Sequence, residues 1–327
     1  MKVAQIENNN LVIKERENET LNGRKGALVK VLGCGLCGSD IVKLKQHISK
    51  EGTVLGHEIV AQIIDINSDT NFKNGDVIVT SHHIPCGKCE YCKNGNVSMC
   101  RHFKETNIRP GGFSEFVFVS EEHLQNVAYL KPENLSDDEA AFYEPLGCCI
   151  RAVKRANLKQ NSTTLVIGLG SIGILMAQAL RSFGMKVIGC DLISSRVELL
   201  HSFGIEAFNV NEMCESINVD CVFMTSGSDK ALQTALKYVR DGGKILVFSS
   251  TPLNSGYGNN EIYYRELTVL GSYSPSPADL KDSYELLKNK EVKVKGLSTQ
   301  YPLQQVQKAI NDTLENKILK AYIKVNT

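Results

Sequence analysis

Short apolar runs separated by polar turns fill the start of the chain, at residues 3–6, 11–13 and 27–32, with Asn22-Gly23 among the turns. Helical periodicity is absent there, which predicts β-strands opening a small mixed or β-rich domain. A strongly alternating stretch at 111–119 predicts another strand. At 163 the pattern changes. Residues 164–167 read as a short buried strand, after which Ile172, Leu175, Met176, Ala179, Leu180 and Phe183 recur at helical spacing. Residues 186–190 are the next strand. A helix at 194–203, a short strand near Ala207, a strand from Val219, a helix at 230–239 and a strand within 242–250 extend this into the βαβ series of a parallel doubly wound sheet. The span from 210 to 219 is short for a crossover, so one helix is expected to be truncated. A glycine- and asparagine-rich loop at 254–260 leads to a last strand within 266–273, then a helix at 278–288 and a terminal strand at 320–325. The fold class is α/β.

Between the strand at 164–167 and its helix stand Gly168, Gly170 and Gly173, a G-x-G-x-x-G turn. The first glycine permits the turn, the second lets the backbone approach a pyrophosphate, and the third lets helix and strand pack closely. Ser171 and Ile172 open the helix, whose unpaired N–H groups suit phosphate oxygens. Asp191 ends the following strand, 18 residues past Gly173, where a carboxylate meets ribose hydroxyls. That carboxylate favours NAD over NADP, while Arg196, five residues on, is the nearby cation that can blunt the preference.

Composition narrows the function. The formal charge of the 327-residue chain is +1, which gives no electrostatic case for nucleic acid or an anionic membrane as partner. No apolar run approaches the ~18 residues of a membrane span, and the first residues lack the apolar core of a secretory signal. A cytoplasmic location is expected. The 11 cysteines then point to thiolate and metal chemistry ahead of disulfides. Cys86, Cys89, Cys92 and Cys100 follow at spacings of three, three and eight, with Gly87 and Gly95 allowing sharp reversals. Four thiolates close a tetrahedron around zinc and leave no open position, so this is a structural site; an iron–sulfur cluster is the less fitting alternative. Cys37 and His57 are also suitable zinc ligands, and Ser39 follows the thiol by two residues. Ser136 to Glu139 forms a capping box, and Pro145 suits the first turn of a second helix, which predicts Glu144 at the break between two helices.

The order Cys37-Gly-Ser39-Asp40, Gly56-His57-Glu58, four-cysteine lobe, Glu144-Pro145-Leu146, then G-x-G-x-x-G with Asp191, resembles the zinc-dependent medium-chain dehydrogenase/reductase family, in its polyol (sorbitol or iditol) and threonine dehydrogenase branch. The resemblance spans essentially the whole chain. It implies a GroES-like, β-rich catalytic domain at 1–135 carrying the zinc lobe at 86–100, a Rossmann NAD-binding domain at 136–273, and a return to the catalytic domain at 274–327. It implies two zinc ions per chain, one structural and one catalytic. Cys37 and His57 would be ligands of the second, with Glu144 matching the third ligand and Glu58 the acidic neighbour that can bind or leave the metal. Ser39 would accept the substrate proton. Val42 stands where many relatives have a histidine, which leaves the far end of the proton relay open. The implied reaction is hydride transfer between NAD(H) and a secondary alcohol or ketone of a polyol, cyclitol or sugar phosphate. Rival readings are a reductase of another carbonyl in the same superfamily and a non-catalytic zinc-ribbon nucleotide sensor. Relatives also imply a homo-oligomer, dimer or tetramer. Lys43, Lys45 and Arg109 flank segments suited to the cleft, and His82 and His83 suit its wall or a strand end.

Overall fold

The computed structural model describes residues 1–249, 256 and 258–326. The chain divides into two compact units, 1–145 with 276–288 and 294–327, and 146–275 with 289–293.

The first unit opens with β1 (Lys2–Glu7) and β2 (Asn10–Glu15), an antiparallel hairpin that stands as its own two-stranded sheet. Next come β3 (Gly26–Gly35), β4 (Glu58–Asn67), β5 (Val77–Thr80), β6 (Phe116–Ser120) and β7 (Ala128–Leu130). The alternating stretch at 111–119 becomes a strand only from Phe116, because residues 111–114 turn back on residues 54–56 and the start of β1.

In the second unit β8 (Thr163–Ile167), β9 (Lys186–Asp191), β10 (Glu206–Asn209), β11 (Val219–Met224), β12 (Val239–Val247) and β13 (Thr268–Gly271) pair in the order β10-β9-β8-β11-β12-β13, all parallel. The order reverses beside β8, the switch point at which open α/β sheets take ligands. The truncated crossover is a single 3₁₀ turn, Val210–Glu212. The Ser171–Ser182 helix is buried on every side from Gly173 to Leu180, where an apolar stripe was expected. Gln178 is tolerated there because it exchanges hydrogen bonds with the Lys293 backbone, 3.0 and 2.9 Å. Of the loop expected at 254–260, residues 254, 255 and 257 lie outside the described residues. Asn259 and Asn260 instead open the Asn259–Tyr264 helix, with Gly258 as its N-cap.

The first unit is completed by β14 (Ser298–Pro302) and β15 (Lys320–Lys324), giving the order β14-β15-β3-β4-β5-β7 with β6 added to β3. Between them the Val306–Leu314 helix packs its apolar face on β2, β14 and β15. Residues 136–145, expected to open the nucleotide domain, go with this first unit, since the Asp137–Ala140 helix packs on β3, β4 and β14. The core is aliphatic, built from alternate positions of β3, β4 and β15 such as Val29, Val31, Ile59, Ile63 and Ile323. Burying each such side chain contributes about 1.5–3 kcal/mol.

Candidate active site and cofactor loop

Cys37 ends the loop after β3 and is the N-cap of the Gly38–Lys45 helix. Asp40, three residues on, accepts the Cys37 N–H at 3.2 Å, a capping box that fixes the thiol at the helix start. The Asp40 carboxylate is fully buried, and its other oxygen takes the Gly56 N–H and stands 3.5 Å from His57 Nδ1. One acid therefore orients both Cys37 and His57. Burial alone would raise the Asp40 carboxyl, but the His57 ring beside it outweighs this and holds it below the ordinary carboxylate value. His57 is moved the other way. Burial opposes its charged form, yet Asp40 and the Cys37 thiol lift it well above an ordinary histidine.

Glu58 begins β4 opposite Gly35 of β3. A Cβ at 35 would lie 1.9 Å from Glu58 Oε2, so the missing side chain makes room for the carboxylate. Ligand atoms of Cys37, His57 and Glu58 lie within 4.8 Å of one another. A thiol, an imidazole and a carboxylate at that spacing are a donor set that zinc accepts. Glu144 is not in that group. It is buried in the first turn of the Tyr143–Ala156 helix, where a break between helices was expected. Pro145 sits in the same first turn, where no N–H is required of it.

Lys320, at the start of β15, was not foreseen. Its buried ammonium meets Glu58 Oε1 at 2.6 Å and the second oxygen as closely. Burial would lower this lysine, but Glu58 first, then Cys37 and Glu144, raise it above the ordinary value. The charge of Glu144 thus acts on the same ammonium. Ser39 is exposed on the first turn after Cys37, its N–H directed at the thiol sulfur, 3.5 Å. The ring of His82 lies 4.5 Å from that of His57, and His83 follows at 3.9 Å.

In the lobe, Cys86, Cys89, Cys92 and Cys100 also place their sulfur atoms within 4.8 Å of one another. Although buried, the Cys100 thiol falls to about 6, because N–H groups of Cys86 and Phe103 point at it. The Cys92 thiol rises to about 12 through burial and its thiol neighbours Cys89 and Cys100. Four thiolates at this spacing need a cation between them, and the set fits zinc.

In the second unit Gly168 has φ +91° and Gly170 caps the Ser171–Ser182 helix, with Ser171 and Ile172 in its first turn. A Cβ on Gly173 would lie 1.8 Å from the Gly168 carbonyl oxygen, whereas one on Gly170 would meet nothing within 4 Å. That open side is where a pyrophosphate can approach the backbone. Asp191 accepts the Leu169 N–H at 2.6 Å and the Ile193 N–H at 2.9 Å, so it also braces the glycine turn. Arg196 Nη1 stands 3.6 Å from the same carboxylate.

Comparison with known proteins agrees with this architecture. The alcohol dehydrogenase GroES-like domain model matches residues 23–129, and the zinc-binding dehydrogenase model matches residues 171–289. Sorbitol dehydrogenase of Bacillus subtilis (strain 168) is 31% identical over 91% of this chain and 90% of its own. D-arabitol-phosphate dehydrogenase of Enterococcus avium is 29% identical over 91% and 90%. The alcohol dehydrogenase TADH from Thermus sp. ATN1 shares the fold, with a TM-score of 0.85 over 100% of both chains at 23% identity. With a GroES-like unit, a parallel nucleotide-type sheet and this identity over nine-tenths of a sorbitol dehydrogenase, the chain belongs to the zinc-dependent medium-chain dehydrogenase/reductase family.

Proposed function

We propose that this protein is a zinc- and NAD-dependent dehydrogenase that interconverts a secondary alcohol of a polyol, or of a polyol phosphate, with the ketone. The observation that carries the reading is the gathering of Cys37, His57 and Glu58 around one point, with Asp40 holding the first two. The relatives named above act on a polyol and on a polyol phosphate. Zinc bound there would supply a Lewis acid for the substrate oxygen, and nicotinamide would supply the hydride acceptor. Cys37 and His57 hold the metal, and the third donor is a carboxylate, Glu58 as arranged here or Glu144 from the Tyr143–Ala156 helix. Ser39 receives the proton that leaves the substrate hydroxyl. Gly168, Gly170 and Gly173, with the N–H groups of Ser171 and Ile172, hold the pyrophosphate, and Asp191 takes the ribose hydroxyls. Its ion pair with Arg196 leaves the preference for NAD in place, because the carboxylate still repels a 2′-phosphate. The four-cysteine lobe holds the second zinc and has no open position for chemistry. The reading includes a cytoplasmic homo-oligomer, dimer or tetramer. No helix among the described residues is long and apolar enough to cross a membrane.

The test is metal analysis combined with a panel of polyols, cyclitols and sugar phosphates, each followed as NADH formation. The parent should carry two zinc ions per chain and oxidise members of the panel. Cys37→Ser should retain one zinc and lose turnover by at least ~1000-fold, about 4 kcal/mol of barrier. Undiminished turnover by Cys37→Ser would remove the catalytic-zinc assignment.

A further inference from the structure

We infer that Thr106 is a positioning residue for the Cys37–His57 metal site: it latches the neck of the four-cysteine lobe, and latch and lobe together hold the wall against which His57 packs. This rests on the two-zinc reading above and goes beyond it, since that reading gives the lobe no part in the other site.

The chain enters the lobe through Ile84 and Cys86. It leaves through the Arg101–Glu105 helix, which has Cys100 as its N-cap and Thr106 as its C-cap. Two cross-links join the entering and leaving segments. At the lobe, Cys86 and Cys100 belong to one metal-sized group of sulfur atoms, and the Cys86 N–H points at the Cys100 sulfur, 3.4 Å. At the neck, the Thr106 hydroxyl accepts the Ile84 N–H at 3.0 Å and has the Phe103 and Ile84 carbonyls as acceptors at 3.1 and 3.4 Å. The Thr106 carbonyl takes the Nδ1–H of His83, 2.5 Å. Ile84 is buried, so its N–H loses a needed acceptor if that hydroxyl is removed. A helix of five residues does not hold its own shape in water. Its ends are fixed from outside, one by the lobe and the other by the neck.

From the neck to the metal site the side chains touch in sequence. The buried Phe103 ring lies 4.7 Å from that of His83, His83 lies 3.9 Å from His82, and His82 lies 4.5 Å from His57. His57 is thus held by Asp40 at Nδ1 and by the His82 ring against its own. The His82 carbonyl accepts from His123 Nε2 at 3.0 Å, which pins the backbone of the wall from another element. What the neck adds is the placement of His83 and, through it, of the stacked rings. Neighbours that orient a metal-binding imidazole are typically worth 10- to 100-fold in metal affinity. With His123 still in place, the lower end of that range is expected.

The experiment follows zinc retained per chain as the zinc-loaded full-length protein is equilibrated with chelator over a series of free-zinc concentrations. The parent should lose its two ions in two steps, and the step that is absent in Cys37→Ser belongs to the Cys37–His57 site. In Thr106→Val that step should move to about 10-fold higher free zinc while the lobe keeps its ion. Thr106→Ser, which restores the hydroxyl, should stay within about 2-fold of the parent. Cys86→Ser, lacking the lobe ion, should shift the Cys37–His57 step in the same direction. Adding Thr106→Val to it should cost less than it does in the parent, because both changes cut one connection. Melts of the metal-free variants separate positioning from stability alone. A Thr106→Val midpoint that falls while the Cys37–His57 step stays where it was overturns the inference, as does a Cys86→Ser step equal to that of the parent. The two readings fail separately. Two zinc steps indifferent to Thr106 end this inference and leave the dehydrogenase, whereas a Thr106-dependent zinc at Cys37 and His57 in a protein that oxidises no alcohol leaves the latch and ends the dehydrogenase.

Discussion

Lys320→Met removes the cation from a pair in which neither partner reaches water: Glu58 is 1% exposed and Lys320 6%. The methionine keeps most of the side-chain volume, so the change isolates the charge. Glu58 stays buried opposite Gly35, with no room at that position for a compensating side chain. Removing one partner of a buried ion pair costs about 3–5 kcal/mol, most of it the desolvation of the charge left behind. For a unit of about 150–250 residues each kcal/mol shifts the melting midpoint by about 2–4 °C, so a fall of roughly 6–20 °C is expected. The assay is thermal unfolding of the metal-stripped protein, followed by circular dichroism for the parent, Lys320→Met, Glu58→Gln and the double variant. The double variant should be more stable than the sum of the singles by about 1–3 kcal/mol, the coupling of residues in contact. Repeating the melts with zinc bears on the third ligand. A divalent cation held by Glu58 would replace the lost ammonium and narrow the gap between parent and Lys320→Met, whereas a metal held by Glu144 would leave it wide. A metal-free Lys320→Met that melts within about 2 °C of the parent, or additive single effects, would refute the reasoning.

Other expectations can be checked with the same preparations. Cys86→Ser should lose one zinc per chain and lower the thermal midpoint while leaving NAD affinity unchanged, read by metal analysis and calorimetry. Gly173→Ala places a Cβ 1.8 Å from the Gly168 carbonyl oxygen, so NAD binding should weaken by at least tenfold, about 1.4 kcal/mol. Asp191→Ala frees the Leu169 and Ile193 N–H groups as well as the ribose site. Fluorescence titrations should therefore show NAD affinity falling outright, with little gain for NADP. Burial lowers the His83 ring to about 4, against the hydrogen bond to the Thr106 carbonyl. The fold thus favours its neutral form: its contribution to stability is complete above about pH 6.5 and is lost as pH falls through about 4. His83→Gln should flatten the acid limb of the midpoint-versus-pH curve between those values, and an unchanged limb would remove His83 as its cause.

What the chain disclosed in advance follows from how far apart the cooperating residues are. The glycine turn was readable because strand, turn and helix are contiguous, so period two gives way to helical period within the motif itself. The four-cysteine lobe was readable for the same reason. Glu58 with Lys320 was not, because the partners are 262 residues apart and joined only when β15 pairs with β3, beside β4. A lysine that opens a predicted terminal strand carries no mark of burial, since lysine is usually at the surface. Asp40 is an intermediate case. Its capping position three residues after Cys37 was visible in the motif, but its second contact, to His57, needed the loop at Gly56 to fold back on the helix. Gln178 shows the limit of periodicity. A polar residue outside the apolar stripe of a helix can be fully buried once a distant backbone offers it both a donor and an acceptor.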